Sequence, residues 1–110
     1  MTEGRDFGRN TDNQGCVDES MSRYKKEPGF TSAISTSLFT RACLDASRAT
    51  PGFCSDVPKP TEFIKSGQWR VEQCRRVDLS KDSYCQQMFQ PVQEFCQRQA
   101  GKTSPDSNSQ

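Results

Sequence analysis

Six cysteines and no histidine in 110 residues constrain this chain more than any other feature of its sequence. Three of the five intervals between neighbouring cysteines enclose ten residues each. An even number of cysteines in a short chain is typical of a disulfide framework, and therefore of an oxidising compartment. The six are Cys16, Cys43, Cys54, Cys74, Cys85 and Cys96.

Two other uses of the cysteines stay open at this point. Structural zinc is disfavoured because the chain has neither histidine nor a Cys-x-x-Cys pair, and ten-residue gaps do not match the short spacing of zinc ligands. No metal or other cofactor is therefore expected. The second alternative is a reduced cytosolic protein with six buried thiols.

The hydrophobic core must be small. Hydrophobic residues make up only 31% of the chain, well below the usual share of about 45–50%. Apolar burial is worth roughly 25 cal/mol per Å², and a small domain hides a smaller fraction of its surface than a large one. Cross-links would compensate, since each disulfide typically contributes about 2–4 kcal/mol.

Charge and hydropathy exclude several classes of partner. Fifteen basic and fourteen acidic residues nearly cancel, so no net field directs the chain to nucleic acid. No stretch approaches the ~18 apolar residues of a membrane span. Residues 1–15 lack the apolar segment of a signal peptide, so we expect either a signal already removed or another route into the compartment.

The sequence predicts an all-α protein with one folded unit over residues 16–98. Residues 1–15 and 99–110 are rich in small and polar residues and are predicted to be disordered. A first helix is expected over 16–27, ending at Pro28-Gly29, and a second over 32–49. The apolar stripe of the second helix comprises Ile34, Leu38, Ala42 and Ala46.

Prolines shape the second half of the chain. Pro58 and Pro60 make residues 53–60 a rigid connector rather than a helix. Thr61 is the expected N-cap of a third helix, whose apolar stripe leaves Trp69 to one side. A fourth helix is expected over 81–98, with a kink near Gln90 caused by Pro91. The apolar stripe of the third helix comprises Phe63, Gly67, Val71, Cys74 and Val77.

The turn positions predict how the cysteines pair in a bundle of about four helices arranged as two antiparallel hairpins. Cys16 and Cys43 lie thirteen residues before and fourteen after Gly29, so they face each other across the first turn. Cys74 and Cys85 lie five before and six after Leu79, across the second. The proposed pairs are Cys16–Cys43, Cys74–Cys85 and, by connector fold-back, Cys54–Cys96.

A local Cys43–Cys54 bond is the main alternative pairing, because the bend at Thr50-Pro51-Gly52 could close it. That bond would leave Cys16 without its partner. Disulfide geometry requires Cα atoms within about 7 Å, which is the test for either arrangement.

Residues 61–97, with Cys74, Cys85 and Cys96 on two helices, resemble the coiled-coil-helix-coiled-coil-helix (CHCH) family of the mitochondrial intermembrane space. The segment Cys85–Cys96 is similar to that family's twin-cysteine motif in a ten-gap variant, with aromatic residues along one face. Ile64 stands where the family has its first cysteine, so Cys54 would substitute for it. The resemblance implies import by oxidative trapping and a role as an accessory subunit or assembly factor of a respiratory complex.

No residues form a recognisable catalytic motif, so an enzyme is not expected. We expect a structural or assembly component with a protein partner, and Trp and Arg are enriched at interface hot spots. The candidate contact residues are Trp69, Arg70, Arg75 and Arg76. The competing interpretation is that Trp69 caps the core and the arginines form a solvated face.

Two further functional classes stay open. The first is a bacterial periplasmic or secreted protein whose signal was removed, such as a lipoprotein domain or an inhibitor or immunity protein for a hydrolase. The second is binding of anionic polymers through Lys25, Lys26 and the arginines of the third helix, which would weaken strongly with salt.

Overall fold

The fold is all-helical, as the sequence predicts. The computed structural model describes residues 2–103 and contains six helical segments. An isolated bridge between Asp12 and Arg48 is the β-type pairing found in this range. The helices are α1 (Thr2–Gly8), α2 (Asn13–Lys26), α3 (Phe30–Ala46), α4 (Phe63–Arg76), α5 (Cys85–Met88) and α6 (Gln90–Thr103).

The prediction of a disordered tail over residues 1–15 is wrong for the part that the structure describes. Residues 2–8 form α1, which packs along α3. A Cβ atom added to Gly4 would lie 2.7 Å from the carbonyl oxygen of Phe39, and one added to Gly8 would lie 2.5 Å from that of Cys43. The two helices therefore meet backbone to backbone, at a distance that only glycine permits.

Side chains strengthen the docking of α1. The ring of Phe7 lies 5.9 Å from that of Phe39, and the Arg23 guanidinium lies 4.1 Å from the centre of the same Phe39 ring. Arg23 also pairs with Glu3 of α1 and Glu19 of its own helix. Aromatic pairs and cation–π contacts each contribute on the order of 1 kcal/mol.

The first helix of the predicted hairpin begins earlier than expected, at Asn13. Asp12 is its N-cap, and the carboxylate accepts the backbone N–H of Gly15 at 2.9 Å. That hydrogen bond lowers the pKa of Asp12. The helix ends at Lys26, before the expected Pro28-Gly29 turn, where Gly29 has φ 145°, a value that favours glycine.

Helix α3 lies at the centre of the fold, in contact with α1, α2, α5 and α6. Its rotation differs from the expectation. Ile34 and Leu38 are 44% and 49% exposed, because the core instead receives the face that carries Cys43. The buried residues of α3 are Ala33, Thr36, Phe39, Thr40, Cys43 and Leu44.

Three disulfides cross-link the fold, and they are the pairs predicted from the turn positions and the fold-back of the connector. Their Cα–Cα distances are 5.7, 5.5 and 6.0 Å, within the usual range. The alternative Cys43–Cys54 bond is not formed. The bonds are Cys16–Cys43, Cys54–Cys96 and Cys74–Cys85.

The expected break near Pro91 is confirmed. Helix α5 ends at Met88 and α6 begins at Gln90, so Pro91 falls in the first turn of α6, where its missing N–H costs nothing. Helix α6 continues to Thr103, which corrects the expectation of a disordered segment starting at residue 99. Residues 104–110 of that predicted tail lie outside the described range.

A buried tyrosine links the two halves of the molecule. The Tyr24 hydroxyl donates to Oδ2 of Asp82 at 2.7 Å and accepts the backbone N–H of Gly29 at 3.2 Å. Its side chain is fully buried. Burial, reinforced by the hydrogen bond to Asp82, raises the pKa of Tyr24 to about 12.

Candidate functional site

Helix α4 is fastened to the rest of the protein along one side only. Its Cys74 is bonded to Cys85, and it contacts α5. Nearer its start, the Ser66 hydroxyl donates to the carbonyl oxygen of Lys59 at 2.9 Å and accepts from Nε2 of Gln93 at 3.0 Å. Both Ser66 and Gln93 are buried, so a polar network and a covalent bond together fix the rotation of the helix.

Two of the predicted contact residues lie on this fastened side. Trp69 is half-buried and meets Phe89 edge to face, with ring centres 5.9 Å apart. Arg70 donates from Nη1 to Oε1 of Gln93 at 2.9 Å. Trp69 was expected to one side of the apolar stripe, and the structure instead packs it against the core.

The fixed rotation leaves the first part of the predicted apolar stripe of α4 facing outward, whereas its last two members, Cys74 and Val77, meet the core. Phe63 is 81% exposed, Ile64 78% and Val71 54%. A Cβ atom added to Gly67 would have no neighbour within 4 Å among the described residues, so this stretch is open as well. We call the surface formed by Phe63, Ile64, Gly67 and Val71 the α4 face.

The apolar period of this helix is visible in the sequence, but it was assigned to the core, whereas Phe63 and Val71 are exposed. The period of the apolar residues correctly predicts a helix, but a period does not tell which face is buried. A clue lay in Ser66, Trp69 and Gln73, which share the opposite face of the same helix.

Exposed basic side chains lie elsewhere on α4, and two of them, Lys65 and Arg76, line a shallow groove on the side of Trp69. Arg75 and Arg76, the other two predicted contact residues, are both exposed and both pair with Glu72. The hydrogen bond from Arg75, together with Arg76, lowers the pKa of Glu72. Lys65 pairs with Glu62 at 3.4 Å. Two guanidinium groups therefore share one carboxylate, and these side chains of α4 together carry a positive excess.

A second exposed apolar row lies on α3. It comprises Phe30, Ile34 and Leu38, which lie four residues apart on one side of the helix. The ring of Phe30 lies 5.8 Å from that of Tyr84, which covers one end of the row. Nearer the end of α3, Arg41 pairs with Glu94 and Asp45 with Arg98.

All six cysteines are in disulfides, so no thiol is free to act as a nucleophile or ligand. Within residues 2–103 no group of three histidine, cysteine or acidic side chains is placed to hold a metal ion. Over the same residues, no helix combines the length and the apolar character needed to cross a bilayer.

The chain matches no protein-family model, no curated protein and no solved structure.

Proposed function

We propose that this chain is a non-catalytic protein-binding component of an oxidising compartment, and that the α4 face is its docking surface. The observation that supports this proposal is the exposure of Phe63 and Ile64, side by side on a rigidly held helix. Burying a side chain of either type is worth about 1.5–3 kcal/mol. A contiguous exposed apolar surface with a polar rim is typical of an interaction site.

The partner we infer is a helical segment that carries apolar residues next to acidic ones. An exposed apolar stripe on one helix is matched by the apolar stripe of another, as in helix-in-groove recognition. Arg75 and Arg76 share Glu72, so an additional carboxylate would find a guanidinium group to pair with. Charge complementarity of this kind contributes more to specificity and association rate than to affinity.

Rigidity of the surface supports the same function. Helix α4 is held by the Cys74–Cys85 disulfide and by the Ser66–Gln93 hydrogen bond, so its exposed side does not have to be ordered on binding. A preorganised surface avoids about 0.5–1.5 kcal/mol for each side chain that would otherwise be immobilised.

The compartment and the wider role are part of the proposal. Three disulfides are typical of an oxidising environment. The CHCH resemblance, which covers residues 61–97, favours the mitochondrial intermembrane space and a role in the assembly of a respiratory complex. The alternative is a bacterial periplasmic or secreted protein, and a hydrophobic leader encoded before Met1 would select it.

Site-specific photo-crosslinking tests the docking surface. A photoreactive amino acid replaces Ile64 in one variant and Gln86, an exposed residue of α5, in the control. In extracts of the source organism we expect an adduct from position 64 that is missing from position 86, with a protein whose cross-linked segment is apolar and acidic.

Substitutions on the two exposed apolar surfaces then test whether the α4 face binds the partner. The purified partner should bind Ile64→Asp at least about tenfold more weakly, a loss of about 1.4 kcal/mol. Ile34→Asp introduces the same change in the exposed row of α3 and should leave binding unchanged. Equal losses in both variants, or a cross-link only to lipid, would contradict the proposal.

A further inference from the structure

A cavity lies behind α4, beneath the connector that joins α3 to α4. Its volume is about 200 Å³. It extends from the start of α2, under the connector, to α4 and the α5–α6 junction. The side chains around it are Gln14, Val17, Phe53, Asp56, Val57, Trp69, Gln73, Arg76, Phe89 and Val92.

The inner walls of the cavity are apolar. Val17, Phe89 and Val92 are buried residues of the core, and Trp69 and Phe53 pack against that core from the two sides. Polar groups nevertheless supply the larger share of the lining that the cavity exposes. In size, a cavity of about 150 Å³ is large enough to hold benzene. The interior therefore suits an aromatic ring or a branched aliphatic group.

The mouth of the cavity is polar and carries both signs of charge. Asp56 and Arg76 line the cavity and also the shallower groove outside it, together with Gln73. Asp56 is exposed and takes part in none of the ion pairs found within residues 2–103. Arg76 pairs with Glu72 through Nε at 3.3 Å, the longer of the two Arg–Glu72 contacts.

We propose that this cavity binds an apolar α-amino acid. The side chain of the ligand enters the space beside Trp69, its ammonium group pairs with Asp56, and its carboxylate pairs with Arg76. Glu72 keeps Arg75 as a partner when Arg76 pairs with the ligand, so Glu72 is not left unpaired. Hydrogen bonds between ionised groups are the stronger kind, and they fix the orientation of a small ligand.

The volume narrows the ligand class. Sites for drug-sized molecules occupy about 300–1,000 Å³, and this cavity is smaller. A nucleotide or a large cofactor is therefore excluded from the interior, whereas phenylalanine or leucine fits. A purely apolar molecule would leave both charges at the mouth unused.

Trp69 provides a direct assay, because it is the sole tryptophan of the chain and lines the cavity. The purified, disulfide-intact protein is titrated with L-phenylalanine while the tryptophan emission is recorded. We expect a saturable change at concentrations below about 10 mM. Three relatives of the ligand act as comparisons: phenethylamine lacks the carboxylate, 3-phenylpropionate lacks the ammonium group, and glycine lacks the side chain.

Each comparison should bind at least about tenfold more weakly than phenylalanine, since each lacks one of the three contacts. Asp56→Asn should weaken phenylalanine binding by a similar factor, whereas Asp6→Asn, a matched change on α1, should not. No saturable change with phenylalanine, or equal binding of all four compounds, would overturn the proposal. Ile64→Asp should bind phenylalanine normally, so this test fails or succeeds independently of the proposed docking surface.

Discussion

Replacing Gly8 with alanine tests the backbone contact between α1 and α3. The new Cβ atom would lie 2.5 Å from the carbonyl oxygen of Cys43, and ordinary van der Waals contact begins at 3.4 Å. This oxygen belongs to the backbone, and Cys43 is held by a disulfide, so the oxygen is not free to rotate away. Helix α1 must therefore retreat by about 0.9 Å or leave α3 altogether.

Either response has a similar cost. Overpacking of this kind usually destabilises a protein by about 1–3 kcal/mol. If α1 instead leaves, the protein loses the burial of Phe7, which is partial, and its ring contact with Phe39. Partial burial of a phenylalanine and one aromatic pair together amount to about 1–3 kcal/mol as well. We therefore expect Gly8→Ala to lower the free energy of unfolding by that amount.

The matched control is Gly67→Ala on the α4 face. The same methyl group there meets nothing within 4 Å among the described residues. Alanine in an exposed helix is favoured over glycine by up to about 1 kcal/mol. The same chemical change should therefore stabilise the protein at residue 67 and destabilise it at residue 8.

Urea denaturation measures both free energies, and hydrogen exchange identifies the part of the chain affected. The backbone N–H of Arg9 donates to the carbonyl oxygen of Arg5 at 3.0 Å, and its protection should fall in Gly8→Ala while that of the α3 amides persists. Unchanged stability and unchanged protection in Gly8→Ala would refute the close approach. An equal loss in Gly67→Ala would show that the effect does not come from the contact.

Three further predictions concern the core and its cross-links. The folded-state pKa of Tyr24, about 12, lies above its ordinary 10.0. This difference contributes up to about 3 kcal/mol to the free energy of unfolding, a contribution that is fully present below pH 10 and is lost as the pH rises to 12. The free energy of unfolding, measured from pH 10 to pH 12, should fall accordingly, and it should fall less in Tyr24→Phe. The Cys54–Cys96 bond is the most accessible of the three and should be the first cleaved in a titration with reductant, as mapped by mass spectrometry. Loss of the Cys54–Cys96 bond should lower the free energy of unfolding in urea by roughly 4 kcal/mol, given the sequence separation of 42 residues. Gln93→Ala removes the partner of two side chains on α4 and should cost about 1–3 kcal/mol by the same measurement.

The pairing of the cysteines could be predicted because a helical hairpin converts sequence distance into spatial distance. Cys16 and Cys43 are nearly equidistant from Gly29, and Cys74 and Cys85 from Leu79. Pro91 was equally informative, since a missing N–H acts locally whatever the rest of the fold does. Both arguments depend on backbone geometry alone.

The two failures have a common origin in packing. Helix α1 gives no hydrophobic signal, because its contact with α3 is made through Gly4 and Gly8, and glycine-rich segments resemble disordered ones. The rotation of α4 was assigned from its apolar residues, yet the hydrogen bond of Ser66 with Gln93, a partner distant in sequence, also fixes it. Neither contact belongs to a local pattern that a single sequence displays.

The candidate surface was predicted only in part. Arg75 and Arg76 are exposed as expected, whereas Trp69 and Arg70 face the core side of α4. Trp69 was selected because of its residue type, and the same size that favours tryptophan at interfaces also favours it in a small core. Phe63 and Ile64 were missed because apolar residues are ordinarily assigned to the interior.

The order of the three disulfides along the chain has a consequence for how the protein acquires them. No bond crosses another: Cys16–Cys43 is complete before Cys54 begins the next loop, and Cys74–Cys85 lies inside Cys54–Cys96. The 11-residue inner loop has the smallest closure entropy and, once closed, shortens the path that the outer bond must span. Oxidation can therefore proceed in two independent stages that follow the direction of synthesis. A chain cut between residues 44 and 53 would therefore yield two fragments that no disulfide joins, the first closed by one bond and the second by two.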